Sequence, residues 1–271
     1  MSFRHKLARA ADANRSLLCV GLDPDPARLP SDDIVGFLCA IIDATSDLVC
    51  AYKPNLAFYE QLGETGYAAL RAVLSHIPDA IPVIADAKRG DIPHTSEAYA
   101  RALFDELGFD AATVNPYLGA DAVAPFLARE DKTALVLCRT SNPGARDLQD
   151  LPVGEDGRPL YEAVAELASG WNARGNVGLV VGATYPEEMR RVREICPDLP
   201  FLVPGIGSQA GNLESMLDAG LDASGAGLII NASRSVLYAS SGPDFAEAAR
   251  REAEALRNAI EDHRLAARSR V

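Results

Sequence analysis

The sequence predicts an α/β fold, a single (β/α)8 barrel of the TIM type that spans residues 1–271. Three observations support this fold class. Eight short apolar runs recur along the chain, segments with helical signals lie between most of them, and polar residues stand at the carboxyl ends of the runs. Strand and helix alternating in this way favour a closed parallel barrel over a doubly wound sheet. No linker or shift in composition divides the chain.

The apolar runs are predicted to be buried parallel strands. Their apolar residues are consecutive rather than alternating, as expected for strands whose two faces are both covered. In chain order the predicted strands are Leu17–Asp23, Leu48–Asn55, Pro82–Lys88, Ala111–Leu118, Thr133–Ser141, Val177–Thr184, Phe201–Gly207 and Gly227–Arg234.

The connections between the runs carry further signals. After the third run, Thr95 is placed to cap the amino terminus of a helix. Residues 142–159, NPGARDLQDLPVGEDGRP, are rich in Gly, Pro and Asp and are longer than a βα loop needs to be. This segment is predicted to be a lid loop, although its composition also suits a passive surface excursion.

Composition and charge exclude several classes of function. A formal net charge of -12 would repel a polyanion, so we expect no nucleic-acid partner, and any bound phosphate must be held by local donors. The four histidines show no metal-ligand spacing, so no protein-held metal is expected.

The cysteines and the first residues bear on location. Five cysteines without a C-x-x-C pair are typical of a reducing compartment, and we interpret them as buried apolar filler. The start, MSFRHKLARAADANRS, lacks the apolar core of a signal peptide, and no apolar segment is long enough to span a membrane. The sequence therefore predicts a soluble cytoplasmic protein without a membrane partner.

Polar residues mark the carboxyl ends of the predicted strands, the face at which barrel enzymes place their active sites. They are Asp23, Lys53, Asp86, Lys88, Asn115, Ser141 and Arg234. In IADAKRGDI, Asp86 and Lys88 are two residues apart, so their side chains point to the same side of the strand, and Asp91 follows in the loop.

A lone D-x-K pair is more often a structural ion pair than an active site, because buried charges are costly unless they pair. Lys53 and Asp23, however, end two other predicted strands. Four or five ionisable residues then converge on one barrel mouth, which favours an active site over a scaffold.

Two further segments suit a bound phosphate. PGIGSQAGN contains Gly205 and Gly207 in a turn that leads into a helix, whose free N–H groups and dipole favour an anion. NASRS contributes Ser233 and Arg234, and the planar guanidinium suits phosphate oxygens. Both segments follow the last two predicted strands, where barrels frequently hold phosphate.

Together these residues resemble a known family. The run from Asp86 to Ile92, DAKRGDI, is similar to the D-x-K-x-x-D-I signature of the orotidine 5'-phosphate decarboxylases, and most similar to the bacterial branch with K-R-G-D. The resemblance extends over nearly the whole chain, through VGLDPDP (20–26), KPN (53–55), TSNPGA (140–145), PGIGSQAG (204–211) and SRS (233–235). It implies decarboxylation of orotidine 5'-phosphate to UMP and CO2, the final step of de novo pyrimidine nucleotide synthesis, without metal or cofactor.

The resemblance also implies roles for the charged residues. Lys88 would be the catalytic proton donor to C6 of the pyrimidine. Lys53 would link into the charged network around Asp86, and Lys53 and Asp23 would contact the ribose hydroxyls. Asp91, the remaining candidate catalytic residue, would be contributed with Ile92 and Thr95 to the neighbouring subunit's site. This implies a homodimer with two shared sites.

The substrate's base and phosphate have their own implied partners. Ser141 would hydrogen-bond the pyrimidine, while Gln209 and Arg234 would bind the 5'-phosphate. Ser233 departs from the family pattern, in which glycine often precedes the phosphate arginine. The departure leaves the local backbone path open.

The implied chemistry suits these residues. Loss of CO2 from C6 leaves an electron pair on a vinylic carbon with no adjacent carbonyl sink, and the chain shows no pyridoxal, thiamine or metal motif that could provide one. A fixed ammonium, Lys88, could stabilise the developing charge and then deliver the proton.

Three alternatives remain open from the sequence. A phosphosugar enzyme with the same charged motif, such as a 3-keto-gulonate phosphate decarboxylase or a hexulose-phosphate synthase, would need Mg2+ to stabilise an enediolate. An aldolase would form a Schiff base on Lys88. A non-catalytic barrel would bind UMP without consuming orotidine 5'-phosphate.

Overall fold

The computed structural model describes residues 1–30, 32–206 and 210–268. Its strands are β1 (Leu18–Gly21), β2 (Ala51–Lys53), β3 (Ile84–Arg89), β4 (Ala111–Val114), β5 (Thr133–Arg139), β6 (Pro152–Val153), β7 (Arg158–Pro159), β8 (Val177–Val181), β9 (Phe201–Val203) and β10 (Leu228–Ala232). All but β6 and β7 form one parallel sheet of eight strands in the order β2-β1-β10-β9-β8-β5-β4-β3. Single bridges from Tyr52 to Val83 and from Asn55 to Asp86 join its two edges. The predicted TIM-type barrel is therefore confirmed.

The helices surround the barrel. They are α1 (Phe3–Asn14), α2 (Ile34–Thr45), α3 (Ala57–Glu60), α4 (Gly63–His76), α5 (Pro93–Ala100), α6 (Ala120–Leu127), α7 (Leu160–Trp171), α8 (Pro186–Ile195), α9 (Ala210–Gly220), α10 (Arg234–Leu237) and α11 (Phe245–Arg268). No helix in the three described ranges is both long enough and apolar enough to cross a membrane.

Two apolar clusters form the core. The larger one joins the outward faces of the strands to the helices. The smaller one takes residues from every strand of the barrel and therefore lies in its interior: Phe3, Cys19, Cys50, Ala51, Ile84, Ala111, Leu135, Val180, Leu202 and Ile229. Phe3 comes from α1, and its backbone N–H donates to the carbonyl of Asp131, just before β5 begins. Phe3 thus closes the amino-terminal end of the barrel.

All strands of the barrel except β3 end earlier than predicted at the opposite, carboxyl-terminal end. Asp23, Asn55 and Asn115, for example, lie beyond the ends of β1, β2 and β4. Side chains take over from the backbone ladder there: the Asp23 carboxylate accepts a hydrogen bond from the backbone N–H of Asn55 at 2.9 Å. Polar residues at a strand end can thus replace the sheet's own hydrogen bonds as well as form a site.

The prediction that Thr95 caps a helix is wrong. Helix α5 begins at Pro93, two residues earlier, and Ile92 stands at its cap position. Proline at the first helical position is favoured because its φ is already helical and its missing N–H would have no intrahelical partner. Ser96 in this helix instead bonds the preceding loop, donating to the carbonyl of Asp91 at 2.9 Å.

The predicted lid loop, residues 142–159, carries structure of its own. It contains a 3-10 turn at Pro143–Asp147 and the two-stranded hairpin of β6 and β7. The Gln149 amide fastens it to the end of β5, accepting from the backbone N–H of Thr140 at 2.9 Å and donating to the Thr140 hydroxyl at 2.8 Å. That this loop moves over the mouth remains a prediction.

Candidate active site

Three charged side chains meet at the carboxyl end of β2 and β3. The Lys53 ammonium lies 3.1 Å from Oδ2 of Asp86, and the Lys88 ammonium lies 2.5 Å from Oδ1 of the same carboxylate. The Lys53 side chain is only 4% exposed, whereas that of Lys88 is 49% exposed. Asp86 therefore joins one buried ammonium to one that reaches the open mouth. This Lys53–Asp86–Lys88 network contains three of the five ionisable residues that the sequence predicts at the mouth.

The network keeps Asp86 and Lys53 charged. Burial by itself would raise the pKa of Asp86, but the ammonium groups of Lys53 and Lys88 lower that pKa to about 2. Burial likewise lowers the pKa of Lys53, yet the carboxylates of Asp23 and Asp86 outweigh it and raise that pKa above its ordinary value. At neutral pH the site therefore holds the Asp86 carboxylate and the buried Lys53 ammonium.

The backbone at Lys88 is not regular strand. Lys88 has a φ of 47°, in the left-handed region, and the pairing of β3 with β4 shifts register between Ala85 and Arg89. The Lys88 N–H donates instead to the Thr113 hydroxyl at 2.9 Å, and that hydroxyl donates to Oδ1 of Asp86 at 3.1 Å. Uncommon backbone conformations of this kind cluster at functional sites.

Asp91 does not join this network. Its Oδ1 accepts from the backbone N–H of Ile92 at 2.7 Å. No lysine, arginine or histidine in the described ranges lies within ion-pair distance of the Asp91 carboxylate. Asp91 is half-buried, Pro93 and His94 in the first turn of α5 are exposed, and 59% of Ile92 is exposed.

Asp23 connects three loops at the mouth. Besides accepting from Asn55, its carboxylate accepts from the Ser233 hydroxyl at 2.7 Å. Ser233 has a negative φ of -122°, so this position does not require the positive φ that glycine alone adopts readily, and serine can stand where glycine is frequent in the family pattern. The glycine that this contact requires is instead Gly21, because a Cβ added there would lie only 2.7 Å from the Cβ of Ser233.

A cavity opens at the ends of β9 and β10, on the same face of the barrel as the network. It has a volume of about 500 Å³ and is lined by Arg28, Gly205, Ile206, Asn231, Ser233, Arg234 and Ser235. Ser141 stands at its edge, since a Cβ on Gly205 would lie 3.4 Å from the Ser141 hydroxyl. Gly207 and Gln209, predicted in the same turn, lie outside the described residues.

The electrostatics of this cavity favour an anion. Within the part of the chain that the structure describes, the guanidinium groups of Arg28 and Arg234 have no carboxylate within ion-pair distance. The Ser235 hydroxyl oxygen is buried there and has no hydrogen-bond partner in the same ranges. Two cations without a carboxylate partner that line one cavity are what a phosphate would need.

Arg28 is a residue that the sequence did not reveal. It lies in the 3-10 turn at Pro26–Arg28, beyond the end of β1, and its guanidinium carbon stacks 4.0 Å from the ring centroid of Tyr238. The Tyr238 hydroxyl in turn accepts from the backbone N–H of Asp25 at 2.6 Å. Thr113 was missed as well, although a single threonine in the apolar run that begins at Ala111 was a usable signal.

Among the described residues, no three His, Cys, Asp or Glu side chains cluster as metal ligands would. The groups that face the mouth are ammonium, guanidinium, hydroxyl and carboxylate. A parallel barrel with such groups at the carboxyl ends of its strands belongs to the class of barrel enzymes that act on small anionic substrates.

Comparison with known proteins narrows that class. Residues 16–251 match the family model described as Orotidine 5'-phosphate decarboxylase / HUMPS family. A protein from Thermomicrobium roseum named orotidine 5'-phosphate decarboxylase is 58% identical over 268 residues, which cover 96% of this chain and 95% of the relative. One of the same name from Herpetosiphon aurantiacus is 56% identical over 260 residues, covering 93% and 96% of the two chains.

The fold is also similar to that of a solved structure with a related name. The solved structure of Leishmania donovani OMP decarboxylase superposes with a TM-score of 0.88 at 47% identity, covering 98% of this chain and 99% of that one. This chain is a member of the orotidine 5'-phosphate decarboxylase / HUMPS family, as the resemblance in its sequence implies.

Proposed function

We propose that this protein decarboxylates orotidine 5'-phosphate to UMP and CO2, the final step of de novo pyrimidine nucleotide synthesis. The observation that carries the proposal is the Lys88 ammonium, held on Asp86 at the open mouth of the barrel. The family also contains HUMPS members, but relatives that are 51–58% identical over almost the whole chain bear the name orotidine 5'-phosphate decarboxylase.

Lys88 supplies what a cofactor would otherwise provide. Decarboxylation at C6 leaves an electron pair on the ring carbon, and an ammonium fixed beside that carbon stabilises the developing charge. The same ammonium then donates a proton to C6, which completes UMP. Because the pKa of Asp86 is lowered to about 2, its carboxylate stays ionised at neutral pH and holds Lys88 in place.

Repulsion between Asp86 and the substrate carboxylate is a smaller effect. Two like charges about 4 Å apart at an effective dielectric constant near 20 repel by roughly 4 kcal/mol. Demanding reactions require a lowering of the barrier by about 20 kcal/mol. Stabilisation of the carbanion by Lys88 must therefore contribute more than destabilisation of the bound substrate.

The cavity at the ends of β9 and β10 is proposed to hold the 5'-phosphate. Arg234 and Arg28 would pair with its oxygens, and the backbone at Gly205 would add a donor. By the family resemblance, Gln209 and Gly207 would complete this subsite. Binding energy from the phosphate, remote from C6, can order the site around the reacting ring.

The remaining contacts follow from the same resemblance. Asp23 and Lys53, which meet at the ends of β1 and β2, are proposed to hold the ribose hydroxyls. Ser141, at the edge of the phosphate cavity, is proposed to hydrogen-bond the pyrimidine. The substrate would thus lie across the mouth, with its ring over Lys88 and its phosphate between β9 and β10.

A homodimer with shared sites is also proposed. Asp91 lies outside its own chain's network, and Ile92 beside it is 59% exposed. Tyr117 and Leu118, in the loop after the neighbouring strand β4, are 75% and 45% exposed. Such an apolar rim suits a protein contact. In the dimer, Asp91, Ile92 and Thr95 would complete the partner's site.

A cytoplasmic, metal-independent enzyme fits these proposals. All five cysteines are free and four of them are buried, as in a reducing compartment. The test is loss of orotidine 5'-phosphate absorbance with purified, EDTA-treated protein, and we expect full activity. Protein that leaves orotidine 5'-phosphate unchanged but acts on a phosphosugar once Mg2+ is added would favour a phosphosugar enzyme. Borohydride trapping of a substrate on Lys88 would favour an aldolase, and UMP binding without turnover a non-catalytic barrel.

A further inference from the structure

The Thr113 hydroxyl contacts both Lys88 and Asp86, the two residues of β3 that carry the proposed chemistry. Thr113 is on β4 and is only 1% exposed. Its hydroxyl accepts from the backbone N–H of Lys88 at 2.9 Å and donates to Oδ1 of Asp86 at 3.1 Å. One side chain on a neighbouring strand therefore contacts both the backbone of the proposed proton donor and the carboxylate that holds its ammonium.

These two bonds fix the direction of the hydroxyl proton. A hydroxyl donates one hydrogen bond, and here the proton goes to Asp86 while a lone pair accepts from Lys88. The oxygen that receives the proton, Oδ1, is the same one that binds the Lys88 ammonium at 2.5 Å. Thr113 thereby defines the orientation of the carboxylate and, through it, the place of the ammonium.

The bond to the backbone compensates for an irregular strand. Because β3 and β4 shift register between Ala85 and Arg89, the Lys88 N–H donates to a side chain rather than to a ladder carbonyl. Without the hydroxyl, this N–H would lose its acceptor, and the left-handed φ of 47° at Lys88 would lose a contact that maintains it.

We propose that Thr113 is a positioning residue that sets Lys88 and Asp86 in the geometry for proton delivery. The proposal rests on the proposed decarboxylase function. Thr113 acts through Lys88 and Asp86, so its loss should slow the chemical step more than it weakens binding of the nucleotide. The phosphate cavity, which supplies much of that binding, lies on other strands.

The test compares Thr113→Val, Thr113→Ser and Thr113→Cys. Valine keeps the shape and removes the hydroxyl, and kcat should fall on the order of 10- to 100-fold while KM changes less than about threefold. Serine restores the hydroxyl and should recover kcat to within about threefold of wild type. The thiol of cysteine is a weaker donor and acceptor and should give an intermediate kcat, which keeps the test open if the valine variant does not fold.

A matched control is Thr45→Val. Thr45 is also fully buried, and its hydroxyl bonds the Ile41 carbonyl at 2.7 Å and the Tyr52 hydroxyl at 2.8 Å, away from the network. This variant should lose thermal stability and keep wild-type kcat. A kcat of folded Thr113→Val within twofold of wild type would overturn the proposal, as would a serine variant as slow as the valine variant. Wild-type protein that fails to consume orotidine 5'-phosphate would instead reject the decarboxylase function itself.

Discussion

Lys88 is the residue at which local strain and proposed chemistry meet. Its left-handed φ is uncommon for a residue with a side chain, and it persists because the surrounding strands impose it. The ammonium consequently has a fixed place on Asp86 before any substrate arrives. Electrostatic catalysis depends on such preorganisation, since a group that is already in place need not reorient during the reaction.

Replacement of Lys88 should separate chemistry from binding. We expect Lys88→Ala to lower kcat by at least about 1000-fold, because both charge stabilisation and proton donation are removed. UMP binding, measured by titration calorimetry, should persist because Arg28 and Arg234 remain. Lys132→Ala, just before β5 at the closed end of the barrel, is the matched control. Turnover of Lys88→Ala within about tenfold of wild type would exclude it as the proton donor.

Arg28 permits a test of the phosphate cavity. Arg28→Ala should lower kcat/KM by roughly 10- to 100-fold, because a hydrogen-bonded ion pair to the phosphate is lost. Its affinity for UMP should fall by a similar factor, whereas its affinity for uridine, which has no phosphate, should not change. Arg234→Ala should behave in the same way. Equal weakening of UMP and uridine would indicate a general disturbance of the mouth and contradict a phosphate contact.

Asp86 makes the stability of the protein depend on pH. Its folded-state pKa of about 2 is below the unfolded value of about 3.9, so its contribution to stability is complete above pH 4 and is lost as the pH falls through 2. Asp86→Asn should lower the free energy of unfolding by roughly 2–3 kcal/mol at pH 7, and by less below about pH 4. Urea titrations between pH 3 and 7 measure the difference, with the exposed Asp79→Asn as control. A difference that grows on acidification would contradict the assignment.

At the scale of elements, the end of β3 depends on a close approach to β4. A Cβ on Gly90 would lie 2.6 Å from the backbone carbonyl oxygen of Asn115, which cannot easily give way. Gly90→Ala should therefore lower the free energy of unfolding by about 1–3 kcal/mol. Gly170→Ala, in the exposed part of α7, meets nothing within 4 Å and should be neutral or stabilising. Thermal melts of the two variants would refute the steric argument if Gly90→Ala were as stable as Gly170→Ala.

The sequence predicts where the strands are better than where they end. Every predicted strand overlaps a real one, because consecutive apolar residues reflect burial on both faces. Strand ends depend on pairing with a neighbour, so β2 begins at Ala51 rather than at Leu48 and β9 ends at Val203 rather than at Gly207. The start of α5 was misplaced because the proline preference for a first turn outweighed the capping preference of threonine.

In the candidate site, too, residues on the strands could be predicted and residues in the loops beyond them could not. Lys53, Asp86 and Lys88 could be predicted because their strands bring them together at one end of the barrel. The absence of Asp91 from this network could not be predicted, since Asp91 lies in the loop after β3, where its carboxylate accepts from the neighbouring backbone N–H of Ile92. Arg28 was missed because its turn lies several residues beyond β1, where no strand periodicity places it.

At the scale of the whole molecule, the shared site can be tested with mixed subunits. Asp91→Ala and Lys88→Ala proteins should each be inactive, because each lacks one member of the proposed composite site. After mixing and subunit exchange, hybrid dimers contain one site with both residues intact and should regain up to about a quarter of wild-type activity if exchange is random. An absence of recovery, with exchange verified by a mass-tagged subunit, would reject the shared site.

The side chain of Phe3, at the amino-terminal end of the barrel, bears on how the substrate enters and the products leave. It is 1% exposed and packs in the interior cluster, so the barrel is closed at its amino-terminal end and open only at the carboxyl-terminal mouth. In the proposed reaction, carbon dioxide and UMP must therefore leave through the same mouth by which the substrate entered. The small neutral product can slip past a ring that is still tethered by its phosphate, so carbon dioxide would depart first and UMP last.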